Sequence, residues 1–232
     1  MLKVSVLVPA FNEEKTILKI LGRVREQHVD DVCFEVIVID DGSQDGTVKR
    51  LQENPSLYDR LIIQPTNGGK GAAVKAGLRA ATGDYVLFQD ADLEYDPAEF
   101  SKLLLPVMRF DADVVMGSRF LAPQYTRVHY FMHKFGNNLI TLMFNVLFST
   151  TFTDIYTCYL MFRRELVNPD ELRTSGWEQH AEILATCVKR SKRYYDVPIS
   201  YHGRTYEEGK KIRARHVVGV IRTIVAERFW HR

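Results

Sequence analysis

Cysteine is scarce in this chain: Cys33, Cys158 and Cys187 are the only three among 232 residues. They are odd in number and lack metal-ligand spacing, which argues against a disulfide framework or a zinc site and for a reducing, cytoplasmic setting. Long hydrophobic runs are also missing. The most apolar stretch, Leu139 to Phe152, carries Asn145, Ser149 and several threonines, and at about 14 residues it falls short of the ~20 a membrane-spanning helix needs. No basic segment with a cleavage site precedes the first apolar strand at Val4, Val6 and Val8, so export by a signal peptide is not expected. No Pro/Gly/Ser-rich linker or repeat divides the chain, and a net charge of +2 is too small to imply nucleic acid. The charge is nevertheless uneven. Lys210, Lys211, Arg213, Arg215, Arg222, Arg228 and Arg232 face a single acid, Glu227, at the C-terminal end.

What is present is an alternation of short apolar runs with helical patterns, the mark of an α/β fold built on a mostly parallel sheet with crossover helices. Strands are predicted at Leu2–Val8, Phe34–Ile39, Leu61–Gln64, Tyr85–Gln89 and Val114–Gly117. Helices are predicted at Glu14–Gln27, Thr47–Asn54, Gly71–Ala81 and Pro97–Phe110. Beyond Arg119 the regularity fades; helices near His133–Leu147 and Ala181–Lys192 and strands near Tyr159–Arg163 and Tyr194–Ser200 complete the reading. Ligands of open α/β sheets lie beyond the carboxyl ends of the strands. The polar clusters Asn12-Glu13, Asp40-Asp41-Gly42-Ser43 and Asp90-Ala91-Asp92 fall at those ends.

Asp90, Asp92 and Glu94 alternate at the close of an extended segment, so their carboxylates converge on one side. Such a cluster repels itself unless a cation sits in it, and hard oxygen donors favour Mg²⁺ or Mn²⁺. The competing reading is a solvated acidic loop before a helix capped by Asp96. Asp40-Asp41-Gly42-Ser43 is either a tight turn whose acids cap exposed amides or a place where an aspartate accepts from a nucleotide base. Asn67-Gly68-Gly69-Lys70-Gly71 opens a helix of small residues, where amides and a lysine can approach a diphosphate, or where the chain simply turns. Neither a Walker A loop nor a dinucleotide fingerprint is present.

Taken together, Val8-Pro9-Ala10-Phe11-Asn12-Glu13-Glu14, Val38-Ile39-Asp40-Asp41-Gly42-Ser43, Asn67-Gly68-Gly69-Lys70-Gly71 and Asp90-Ala91-Asp92 resemble the family 2 inverting glycosyltransferases of the GT-A (Rossmann-like) fold. Gly117-Ser118-Arg119-Phe120, the segment Thr153 to Tyr159 and the segment Val197 to Lys211 look like the polyprenyl-phosphate (dolichyl-phosphate) mannosyl- and glucosyltransferases. The resemblance implies a nucleotide-diphosphate sugar (GDP-mannose or UDP-glucose) as donor and a polyprenyl phosphate as acceptor. Pro9, Ala10, Asn12, Glu13 and Asp41 would line the base and ribose, with Lys70, Asp90, Ala91 and Asp92 completing the nucleotide-sugar site. Asp90, Asp92 and Glu94 would surround a Mg²⁺ or Mn²⁺. Asp92, Arg119 and Arg204 would carry catalysis, and Arg119, Arg127, Lys134, Arg204 and Lys210 would bind acceptor phosphate. Relatives often carry Gln where Glu94 stands, an acid where His180 stands, and an arginine in place of one residue of Phe131-Met132-His133-Lys134.

A lipid phosphate arrives already anionic at neutral pH, since its second pKa lies near ~6. Repulsion between it and the donor diphosphate is then the obstacle, and arginine forks suit its removal. A saccharide acceptor would need a carboxylate base instead, for which Glu178, Glu182 and Asp154 are the candidates; a non-catalytic nucleotide-sugar-binding subunit is the other alternative. Residues 1–210 are expected to form the catalytic domain and 211–232 a basic amphipathic helix. Val217, Val220, Ile221, Ile224 and Val225 on one side of that helix either meet a membrane or pack on the core, and Phe144, Leu147 and Phe148 are a second candidate contact. Attachment is expected to be peripheral, at the cytoplasmic face of a membrane, directly or through a membrane-anchored partner or a second copy of the chain.

Overall fold

The computed structural model describes residues 1–121, 131–203 and 216–230. In chain order the elements are β1 (Leu2–Ala10), α1 (Ile17–Arg25), β2 (Val32–Asp40), α2 (Thr47–Glu53), β3 (Arg60–Ile63), α3 (Lys70–Ala80), β4 (Tyr85–Phe88), α4 (Phe100–Phe110), β5 (Val114–Ser118), α5 (Phe131–Phe148), β6 (Leu160–Arg163), α6 (Gln179–Arg190), β7 (Tyr194–Pro198) and α7 (His216–Phe229). The strands form one sheet in the order β3-β2-β1-β4-β6-β5-β7. All neighbouring pairs are parallel except those of β6, which runs against both β4 and β5. The α/β expectation with a mostly parallel sheet is borne out, and the predicted elements fall close to the observed ones.

The local causes are those of the sequence. Central strands covered on both faces need continuous apolar runs, and Val4, Val6, Leu7, Val8 and Val36 to Ile39 are fully buried. α1 buries Ile17, Ile20, Leu21 and Val24, and α4 buries Phe100, Leu103, Leu104 and Val107, the spacing of one helix face. As expected, Asp96 caps the entry to α4: its carboxylate accepts from the Ala98 amide at 3.1 Å, over a 3₁₀ turn that starts at Pro97.

A polar clasp ties β1, β2 and the turn before β4. Glu35, 6% exposed, accepts from Ser5 Oγ (2.6 Å), Thr82 Oγ1 (2.7 Å), the Thr82 amide (3.0 Å) and Lys3 Nζ (3.0 Å). Burial alone would raise its pKa, but the Ser5, Thr82 and Lys3 donors outweigh it and hold the carboxyl down at about 2 against an ordinary 4.5. A depressed folded-state pKa stabilises above the unfolded value and is lost as pH falls through the folded one. The stability advantage of the wild type over Glu35→Gln, measured by urea unfolding, is therefore expected to be constant above ordinary carboxylate pH and to shrink between pH 4.5 and about 2.

α7 packs against α5 and α6. Val220 and Ile224 are buried, and the buried Glu227 carboxylate is held by Lys189 Nζ at 2.7 Å and Arg173 Nη1 at 3.1 Å. Of the two readings of its apolar side, packing on the core is observed for Val220 and Ile224, whereas Ile221 is exposed. Phe144, proposed from sequence as a membrane contact, is fully buried and stacks on Phe148 at 4.5 Å; its side of α5 faces inward. No helix among the described residues is long and apolar enough to cross a membrane.

Candidate active site

The carboxyl ends of β1, β2 and β4 deliver the predicted residues to one rim of the sheet. Pro9 and Ala10 end β1, beside Ile39 and Asp40 of β2. Asn12 follows in a left-handed conformation (φ 54°) and its side chain accepts from the Gln44 amide at 2.8 Å, while its own amide donates to Ser43 Oγ at 2.9 Å. The Glu13 amide donates to Thr47 Oγ1 at 2.9 Å, and its carboxylate accepts from Thr16 Oγ1 at 2.8 Å. The loops after β1 and β2 are thus stitched into one wall.

Asp41 is 2% exposed, and its two carboxylate oxygens accept from the Gly68 and Gly69 amides at 3.0 and 2.9 Å. Burial raises its pKa and these amides only partly counter that. Those two amides, read from sequence as free to approach a diphosphate, are directed at Asp41, which instead shapes the turn into α3. Gly69 sits at φ +90°, and a Cβ on Gly71 would meet the Ser175 carbonyl at 2.5 Å; only glycine lets the start of α3 approach the chain before α6 this closely.

Lys70, the first residue of α3, reaches Asp90 Oδ1 at 2.5 Å, with its ammonium 5.1 Å from the Trp177 ring centroid. Burial opposes charge on both partners, but the ion pair more than restores it: Lys70 is raised and Asp90 lowered from their ordinary values. Ala91 is buried, and Asp92 Oδ1 accepts the Glu94 amide at 3.0 Å. Glu94 in turn accepts from Tyr201 Oη at 2.7 Å. The three acids therefore share one loop, each with a protein contact. Among the described residues no group of three or more His, Cys, Asp or Glu side chains converges to hold a metal by itself.

Arg119, just past β5, is braced rather than free. Its Nε and Nη2 bond the fully buried Asp154 at 2.7 and 2.9 Å, Nη2 also donates to the Tyr156 carbonyl at 2.9 Å, and the guanidinium lies 5.0 Å from the Tyr201 ring. Burial would lower its pKa, yet Asp154 raises it well above the ordinary value. Asn137 of α5 donates to the same Asp154 at 3.0 Å. Lys134 is exposed one helical turn earlier, its ammonium 5.3 Å from the Phe120 ring. Arg127, Arg204 and Lys210 lie outside the described residues.

Sequence reasoning left unassigned what the second half of the chain adds to this rim. Cys158 donates to Asp90, and burial with the Asp90 charge keeps its thiol protonated. His180 lies 6.2 Å from Phe88 and 5.7 Å from Tyr156, ring to ring. Its Nε2 is buried without a hydrogen-bond partner. Burial first and the Lys70 charge second hold its pKa down at about 4, so the imidazole is neutral. The one signal available in sequence was its place where relatives often carry an acid. Of the acids weighed as bases, Asp154 is taken by Arg119, and Glu182, 2% exposed, accepts the Arg173 and Thr174 amides at 2.7 and 3.0 Å. Glu178 accepts the Gly176 amide at 3.3 Å.

The chain is similar in sequence and in fold to known sugar transferases. The chain is 30% identical over 207 residues to the low-salt glycan biosynthesis hexosyltransferase Agl6 of Haloferax volcanii, covering 88% of this chain and 48% of that protein. It is 28% identical over 212 residues to the dolichol-phosphate mannosyltransferase of Pyrococcus furiosus, covering 90% and 59%. It is 29% identical over 213 residues to the undecaprenyl-phosphate 4-deoxy-4-formamido-L-arabinose transferase of Proteus mirabilis, covering 90% and 62%. The chain thus spans about half to two thirds of the length of these relatives. Among solved structures, glucosyl-3-phosphoglycerate synthase from Mycobacterium tuberculosis, in complex with Mn²⁺, UDP and phosphoglyceric acid, superposes with a TM-score of 0.73 at 21% identity, covering 98% of this chain and 79% of that one. That likeness establishes a GT-A-like fold. Residues 5–168, well over half of the chain, match the model of Glycosyl transferase family 2, and the chain belongs to that family.

Proposed function

We propose that the chain transfers a hexose from a nucleotide-diphosphate sugar, GDP-mannose or UDP-glucose, to a polyprenyl phosphate, with inversion to a β-linked lipid phosphosugar. The observation that carries the acceptor half is that Arg119 reaches the acidic loop through Tyr201, its guanidinium 5.0 Å from the ring whose hydroxyl bonds Glu94, with Lys134 beside Phe120, while two of the three acids weighed as a base, Asp154 and Glu182, are occupied by an ion pair and by backbone amides. An alcohol acceptor needs a base; a phosphate that is already anionic needs cations. The names of the polyprenyl-phosphate transferases among the relatives support the same acceptor.

In this reading Pro9, Ala10, Asn12, Glu13 and Asp41 form the wall against which the nucleotide lies, and Lys70 is the cation nearest its diphosphate. The oxygen donors of Asp90, Asp92 and Glu94 are of the kind that suits Mg²⁺ or Mn²⁺, but the three do not converge as their alternation in sequence suggested, so an ion held here would need substrate phosphates to complete its ligands. Such an ion, when bound, stabilises the departing nucleotide diphosphate. Lys70 holds Asp90 ionised for that purpose, and Asp154 fixes Arg119 so that its remaining edge can meet the acceptor phosphate. Arg127, Arg204 and Lys210 are assigned to the same phosphate by resemblance. The chain works peripherally at the cytoplasmic face of a membrane.

The test is a panel assay: purified protein with Mg²⁺ or Mn²⁺, each nucleotide sugar in turn, and either a polyprenyl phosphate or free saccharides, followed by extraction of charged lipid product and NMR assignment of its anomer. A β-linked lipid phosphosugar is expected. Transfer to saccharides with none to the lipid would remove the proposed acceptor.

A further inference from the structure

Buried polar atoms are almost always hydrogen-bonded, so one that is not calls for a partner the fold does not supply. His180 Nε2 is such an atom. It stands between the acidic loop and the Arg119 brace. On one side its ring lies 6.2 Å from that of Phe88, the last residue of β4, two positions before Asp90. On the other it lies 5.7 Å from the Tyr156 ring, and the Tyr156 carbonyl accepts from Arg119 Nη2 at 2.9 Å. The Tyr156 hydroxyl donates to the Trp177 carbonyl at 3.0 Å, and the Trp177 ring centroid lies 5.1 Å from the Lys70 ammonium, which ties Lys70 to the same seam. The charges that act on the imidazole are accordingly those of Lys70 and Asp90 and those of Asp154 and Arg119.

We infer that His180 binds a hydroxyl of the hexose in transfer and so takes part in choosing the sugar. The inference rests on the proposed reaction, in which Lys70 and Asp90 serve the donor diphosphate and Arg119 the acceptor phosphate. The anomeric carbon is bonded to the first phosphate and attacked by the second, so the sugar ring must lie between them, which is where His180 stands. A hydroxyl is also the partner its chemistry fits. Burial and then the Lys70 charge keep the imidazole neutral, and a neutral imidazole offers one donor and one acceptor, as a hydroxyl does. A phosphate would ask for a cation, and the carboxylates of Asp90 and Asp154 are already held by Lys70 and Arg119. The nitrogen is buried while Lys70 is paired with Asp90; a donor whose diphosphate draws Lys70 away from Asp90 opens the way to it.

The experiment is calorimetry on the full chain with Mg²⁺ or Mn²⁺, titrating GDP-mannose and UDP-glucose beside GDP and UDP, so that no acceptor is needed. His180→Phe keeps a ring between Phe88 and Tyr156 and removes the nitrogen. It is expected to bind the nucleotide diphosphate as the wild type does and to lose at least ~10-fold in affinity for the nucleotide sugar that the wild type prefers. His180→Gln, whose amide can both donate and accept, is expected to recover part of that loss, and it keeps the question answerable if His180→Phe misfolds. Donors lacking one hydroxyl at a time complete the cycle: the wild type is expected to discriminate against one of them by ~10-fold or more, and His180→Phe to bind that donor and the parent sugar alike. Equal affinity of wild type and His180→Phe for the nucleotide sugars overturns the inference. An equal loss for the sugar-free nucleotide overturns it too, since His180 would then serve the nucleotide wall. So does a fall in melting temperature with sugar discrimination unchanged, the mark of a nitrogen that serves a buried water. If the sugar-dependent difference appears while no protein makes lipid phosphosugar in the panel assay, His180 keeps its hydroxyl and the acceptor reading falls.

Discussion

Replacing Asp92 by Asn is expected to lower kcat/KM for sugar transfer by at least ~10³-fold, about 4 kcal/mol of transition-state stabilisation at ~1.4 kcal/mol per tenfold. The substitution is chosen because Asp92 has two roles that can be separated. Its Oδ1 accepts the Glu94 amide at 3.0 Å and so shapes the loop; an asparagine keeps that acceptor and the volume while removing the charge. The melting temperature should therefore stay within a few degrees, and the loss should lie in chemistry rather than folding. Calorimetry supplies the second reading: Mg²⁺ or Mn²⁺ is expected to strengthen nucleotide-diphosphate binding to the wild type and to do so far less for Asp92→Asn. Undiminished transfer by Asp92→Asn, or by wild type stripped with a chelator, would show that the leaving diphosphate is stabilised by protein cations alone.

The second large effect is on stability. Asp154→Ala is expected to destabilise the fold by ~3–5 kcal/mol, the cost of leaving a buried charge without its partner. Asp154 is fully buried and its oxygens serve Arg119 Nε, Nη2 and backbone N, together with Asn137 Nδ2. Its loss strands a guanidinium that is only 13% exposed. Asp154→Asn keeps one acceptor and should cost clearly less. Guanidinium unfolding measures both; a midpoint for Asp154→Ala equal to that of wild type would mean that Arg119 swings to solvent and was never braced. The activity of the Asn variant then reports whether the orientation of Arg119 matters, since binding of the donor should be intact while KM for the lipid phosphate rises.

Much of this was legible in the chain because the signals are local. Alternating apolar runs and helical patterns located the strands and helices, and the acids that follow β2 and β4 lie at the rim that the parallel-sheet rule requires. What escaped were pairings over long separations. Nothing in the run Asp40-Asp41-Gly42-Ser43 says that Asp41 will serve amides 27 and 28 residues away, and nothing near Glu94 announces Tyr201, 107 residues on. Amphipathicity has the same blind spot. It showed that α7 has an apolar side without saying that Val220 and Ile224 would be covered, and it made Phe144 a surface candidate when the exposed apolar residues of α5 are Met132, Phe135, Leu139, Leu142 and Val146 on the opposite side of the same helix. His180 was visible only as a departure from relatives; its orphaned nitrogen depends on Phe88, Tyr156 and Lys70 arriving from three other elements.

The reversed direction of β6 has a consequence for how such a chain can diversify. In an all-parallel sheet only segments leaving strands reach the binding edge, but here the segment entering β6, with Asp154, Tyr156 and Cys158, arrives there as well. Everything assigned to the nucleotide is encoded before residue 95, whereas the Arg119 brace and its helix come after residue 117. On the proposed assignment, donor and acceptor preferences would sit on consecutive blocks of one polypeptide, and exchange of the later block between homologues would have to preserve Cys158, Trp177 and Tyr201, which touch Asp90, Lys70 and Glu94 of the earlier one.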